Sequence, residues 1–196
     1  MATNVNRKKT VSFSQFSNWW VCPHRWYRDY ILKEKKFEDS IHMSFGTAIH
    51  EAIQLYLKTL FEKTEAEAEA IDLIPIFTAA FKREVSRKSI PHTQADFNEF
   101  IEDGRCILTE FKDPVNRLRY FPRDKWELLG IEQVMREDVV NNVVLETRLD
   151  LVLRERLSGN IRIIDMKTSG RGWSNNDKED FTKATGRNEE NGHKKE

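Results

Sequence analysis

The sequence predicts an α/β fold with a central mixed sheet, built as an antiparallel meander and flanked by helices. Three observations predict it. Apolar residues recur at helical spacing as far as about residue 112. From residue 126 to 154 they alternate with polar ones, as on a half-buried strand. Asn141-Asn142 and Ser158-Gly159-Asn160 then interrupt the alternation with turn-forming residues.

Each element has its own local reason. Residues 1–11 are polar and read as a flexible start. Ser12 or Ser14 can cap a first helix, because a serine hydroxyl accepts an orphan backbone N–H. Residues 13–30 are rich in aromatics (Phe13, Phe16, Trp19, Trp20, Trp26, Tyr27, Tyr30), and Pro23 divides them into two short helices. Residues 33–42 read as a charged loop. The clearest helix covers 44–62, where Phe45, Ile49, Ile53, Leu57 and Leu60 form one stripe. Glu65–Ala70 reads as a Glu/Ala link, and further helices are expected over 71–86 and about 93–112, the latter ended or kinked by Pro114. Strands are expected over 126–139, 143–154 and 161–167. Beyond residue 169 the only large apolar residues are Trp173 and Phe181, and residues 170–196 read as a polar, disordered tail. The domain proper is therefore expected over 12–169.

Composition narrows the function classes. The 196 residues carry 32 Lys+Arg and 32 Asp+Glu, so any basic surface for nucleic acid must be local rather than global. No apolar run is long enough for a transmembrane helix, and the start MATNVNRKKT lacks the apolar segment of a secretory signal. Two cysteines, Cys22 and Cys106, make neither a disulfide framework nor a zinc spacing. A reducing cytoplasm is the expectation.

The strands LDLVL (149–153) and IRIIDMKTS (161–169) carry the chemistry. Charge inside a strand core needs a partner. Strand alternation puts Asp165 and Lys167 on one face, and the intervening turn brings Asp150 near them. Two carboxylates and one ammonium then share a patch. A hard divalent cation takes such carboxylates together with phosphate oxygens, and a lysine beside it can orient an attacking water. A salt bridge on a solvated sheet face accounts for the same pattern, and strand geometry alone does not separate the two.

The order GTAIHEAIQ, then a strand pair ending in LDLVL, then IIDMKTS resembles the PD-(D/E)XK nuclease superfamily. Within it, the sequence looks most like the RecB-type exonuclease branch, which also holds the CRISPR-adaptation nucleases. The opening SFSQFSNWWVCPHRWYRDYIL is similar to the start of that branch. The resemblance spans about residues 12–169. It implies a restriction-endonuclease-like core and a Mg²⁺- or Mn²⁺-dependent DNA nuclease. On it, His50, Asp150, Asp165 and the carbonyl of Met166 hold the metal, and Asp150, Asp165 and Lys167 are the catalytic set. Glu51 and Glu132 are nearby acids, Glu132 being read as a solvated strand residue. In part of the branch a cysteine before proline joins three C-terminal cysteines on an iron–sulfur cluster. No cysteine follows Cys106, so no cluster is expected and Cys22 reads as buried and structural. The aromatic opening is expected to pack within the helical part, base stacking being the other reading.

The sequence departs from the family after Lys167. The family continues with a helix bearing Gln-x-x-x-Tyr and a further strand, and neither is legible in 170–196. The chain is accordingly expected to be C-terminally truncated or divergent, with a sheet edge open to a protein partner. The expected substrate is DNA, single-stranded or at duplex ends, with no membrane involved. The rival expectation is a catalytically impaired nuclease fold that binds DNA or assembles with other proteins.

Overall fold

Helix starts in this chain are set by short side chains that accept backbone N–H groups. Ser12 accepts from Gln15 ahead of α1 (Phe13–Val21), and Ser40 from Met43 ahead of α3 (Ile41–Glu62). Thr64 does the same for α4 (Glu65–Glu69), Asp72 for α5 (Leu73–Arg87) and Asp113 for α7 (Pro114–Tyr120). Thr93 and Asp96 cap α6 (Gln94–Lys112) reciprocally. Between α1 and α3 lie α2 (Pro23–Trp26), with Pro23 at its first position, and a π-helical turn at Tyr27–Ile31. The computed structural model describes residues 9–34, 38–140 and 143–168. The fold described below is that of residues up to Met166, while Lys167 and Thr168 belong to a separate unit.

The sheet is mixed and centred on β3 (Val143–Glu155). On one side β2 (Trp126–Val140) pairs with it antiparallel along its whole length, with register shifts between Leu128 and Gly130 and between Asp138 and Val140. On the other side β1 (Lys9–Ser12) pairs parallel with Val143–Glu146, and β4 (Ile161–Ile164) pairs antiparallel with Leu151–Arg154. The core lies between the helices and one sheet face. Tyr56, Leu57, Leu60, Phe77, Phe81, Leu151 and Leu153 are all fully buried there. Phe77 and Phe81 stack 5.8 Å apart, and Phe45 meets both edge-on.

The helix-flanked mixed sheet is as the sequence predicts, and the differences are local. The polar start includes β1, because Val11 finds a place beside Leu145 on the edge of β3 opposite β2. Glu65–Glu69 is a helical turn and not a link, since Thr64 caps it and Ala68 reaches the core. Pro114 both ends α6 and begins α7. The third strand stops at Ile164, so Asp165 and Met166 leave the ladder instead of continuing it. The aromatic opening does not pack as expected. No residue of α1, α2 or the π-helical turn is buried, and Trp20 is 74% exposed. Cys22 is half-buried and caps α2 by accepting the Arg25 N–H. The expected Asn141-Asn142 turn and the polar tail lie outside the described residues.

Candidate metal centre

Three elements meet at one end of the α3–sheet interface. α3 supplies His50 and, one turn later, Gln54. β2 supplies Glu132, and β3 supplies Asp150. Glu132 falls between the register pairs Ile131–Leu151 and Gln133–Leu149, which places it opposite Asp150. A regular strand would send Glu132 to the face opposite Ile131, away from α3. Instead its φ is 50°, a left-handed value that costs a non-glycine residue of order 1 kcal/mol. This break in alternation brings its carboxylate to α3, where Gln54 Nε2 donates to Oε1 at 2.7 Å. Arg148 lies 3.5 Å from its other oxygen. Asp150 is anchored from the opposite side, as its Oδ2 accepts the Met166 N–H at 2.8 Å.

His50 completes the set. Its Nε2 lies 2.7 Å from the Met166 carbonyl oxygen, and its Nδ1 lies 4.0 Å from both Glu132 Oε1 and Asp150 Oδ2. With Nε2–H donated to the carbonyl, the Nδ1 lone pair looks at two carboxylates, an arrangement that suits a cation between them. Ligand atoms of these three residues all lie within 4.8 Å of one another, and the three side chains are half-buried. A nitrogen with two carboxylate oxygens suits a divalent ion, whereas the Met166 carbonyl, taken up by Nε2 on the other edge of the ring, is not one of its donors in this arrangement. The donor set therefore fits such a cation.

Of the residues expected from the sequence, the structure brings together His50, Asp150 and the Met166 backbone. Asp165 is exposed and stands outside the group of three. Lys167 is exposed and follows Met166 in the chain. Glu132 is corrected from a solvated strand acid to a member of the cluster. Alternation alone points it away from the helices, and only the positive φ, which no sequence pattern announced, turns it inward. Glu51, one position after His50, pairs with Arg83 of α5 instead of joining the cluster.

No curated protein matches the chain. A family model, that of the PD-(D/E)XK nuclease superfamily, matches residues 10–184. It covers the capped opening, the helix with His50, the meander and the Asp-x-Lys motif. By that match, the chain belongs to the PD-(D/E)XK nuclease superfamily.

Proposed function

We propose that this protein is a Mg²⁺- or Mn²⁺-dependent deoxyribonuclease of the exonuclease type, in the RecB-like branch of its superfamily. We further propose that it works on DNA ends in recombination, repair or phage DNA processing, in a reducing cytoplasm that suits its two free thiols. The observation that supports this most is the imidazole of His50 facing two carboxylates, beside the backbone of the strand end that carries Asp165-Met166-Lys167.

In this reading His50, Glu132 and Asp150 hold the divalent cation, with Asp165 as a further carboxylate. When bound, such an ion supplies Lewis-acid polarisation of a phosphate oxygen and makes a nearby water more acidic. The chain's own groups do the rest. Met166 couples the parts, since its N–H fixes Asp150 and its carbonyl faces His50. Gln54 holds the Glu132 carboxylate in place. The Lys167 ammonium orients the attacking water and offsets the negative charge that builds at phosphorus. A protein partner along the open sheet edge belongs to the same proposal.

The test is cleavage of linear DNA by the parent and by Lys167→Ala. The expected result is Mn²⁺-dependent cleavage by the parent and none by the variant, with Mn²⁺ affinity unchanged. Equal cleavage by the two proteins removes Lys167 from the reaction. A parent that shifts DNA in a gel but never cuts it, with Mn²⁺ present, favours the impaired nuclease fold instead.

A further inference from the structure

Beyond Glu132 the molecule has a groove between α3 and the first half of β2, of about 690 Å³. One wall is α3 from Glu51 to Glu62, on the stripe that runs on from His50. Gln54 and Lys58 follow at intervals of four residues, so they sit above one another on that face. The other wall is β2 from Glu127 to Glu132, and Arg156, just past the end of β3, stands at the far end. We propose that this groove holds a single nucleic-acid strand on one side of the scissile phosphate, with Lys58 and Arg156 as its phosphate contacts. The proposal rests on the nuclease reading and adds to it the path of the substrate.

Charge supports the assignment. Four glutamates line the groove, but three are already engaged. Glu51 pairs with Arg83, Glu127 with Arg154 at 2.7 Å, and Glu132 with Gln54 and Arg148. Lys58 has no hydrogen bond or ion pair among the described residues. The Arg156 Nε donates to the Arg123 carbonyl at 3.3 Å, which orients the side chain, and its charge is met in part by Glu127, whose stronger partner is Arg154. Glu62 is the groove glutamate without such a partner among the described residues, and Glu127 acts on Arg156 beside its own pairing with Arg154.

Shape supports it as well. At about 1.5 Å of rise per residue, Lys58 lies roughly 12 Å along α3 from His50, a length that about two to three nucleotides of extended strand cover. Between the metal cluster and these cations the groove offers Leu55 and Leu129, 42% and 41% exposed, as apolar surface for sugars and base faces. Aliphatic contact with phosphate anchors at one end suits a single strand without sequence preference. The groove also continues directly from the metal cluster, since Glu132 belongs to both.

The experiment measures binding of a fluorescent oligonucleotide at several salt concentrations, in EDTA and again in Ca²⁺, so that no cutting is required. Lys58→Ala and Arg156→Ala are each expected to weaken single-strand binding about three- to ten-fold and to lower the salt slope by about 0.7. Glu62→Lys is expected to tighten binding and to steepen that slope by a similar amount. Single-stranded DNA and RNA of one sequence should respond alike, because the contacts are to phosphate. Mn²⁺ affinity should stay at the parent value in all three variants. Unchanged affinity and slope in Lys58→Ala and Arg156→Ala overturns the groove assignment, as does an effect confined to duplex DNA. A parent that binds no Mn²⁺ overturns the nuclease reading separately, and the EDTA series still decides the groove.

Discussion

Six positions apart on α3, His50 and Tyr56 anchor two polar clusters of opposite character. At Tyr56 charge is matched. Its hydroxyl donates to Glu69, Arg117 reaches Glu69 at 3.1 Å and Glu65 at 2.6 Å, and Lys112 donates to the Glu69 and Ile71 carbonyls. Two carboxylates meet two cations, and α3, α4, α6 and α7 are tied together. At His50 charge is not matched. Two carboxylates face an imidazole, and the flanking cation, Arg148, has a side chain 67% exposed and touches only one of them. A matched network holds a fold. An unmatched one, kept at the cost of a strained backbone at Glu132, is what a site that takes up a cation requires.

In stability, the comparison is broken most severely at its matched half. Arg117 is buried, so Arg117→Ala takes the guanidinium from both glutamates and leaves Glu69 only Tyr56 and Lys112. Because the glutamates are half-exposed and keep other partners, the expected cost is about 1–2 kcal/mol, read as a lower urea midpoint. Mn²⁺ affinity of the folded protein should not change. The unmatched half should respond the other way round. Asp150→Ala is expected to weaken Mn²⁺ binding at least 100-fold, by calorimetry, with apo stability close to the parent's. Glu132→Gly sharpens the same contrast. It removes a ligand and relieves the positive φ, so it is expected to lose Mn²⁺ binding while the apo protein gains up to about 1 kcal/mol. Gln54→Ala removes only the group that holds Glu132, and about a ten-fold loss of Mn²⁺ affinity is expected.

The smallest effect is on pH dependence. Burial, and then the hydrogen bond to Glu69, push the Tyr56 hydroxyl well above its ordinary value of 10.0. The folded state keeps this proton longer than the unfolded chain does. The contribution is therefore fully present below pH 10 and is lost as pH rises beyond it. Urea midpoints measured from pH 8 to 11 should fall on the alkaline side, and Tyr56→Phe should flatten that fall.

The same two clusters show what was legible in the sequence. The stripe Phe45, Ile49, Ile53, Leu57 and Leu60 is periodic, so α3 and its buried face could be read directly, and the alternation of 143–154 revealed β3. His50, Asp150 and Met166 came from motif order, which carries information about a fold that periodicity lacks. Glu132 was misread because strand alternation assumes a regular backbone, and its φ of 50° violates that assumption. The network around Tyr56 was invisible, because Glu65, Glu69 and Arg117 look like ordinary surface charges until α4 and α7 are folded onto α3. The aromatic opening erred in the opposite sense. Phe16, Trp19 and Trp20 have core-like composition, yet no described element covers them. Composition states what a residue can bury, whereas topology decides whether anything arrives to bury it.

The central claim is that the unmatched cluster is a divalent-cation site. Its most direct test is calorimetric titration of Mn²⁺ into the parent protein and into Asp150→Ala, with thermal unfolding followed in the same samples. The account predicts saturable binding and a raised unfolding temperature in the parent, and neither in the variant. Mn²⁺ binding that is absent from the parent, or equally tight in Asp150→Ala, would contradict it.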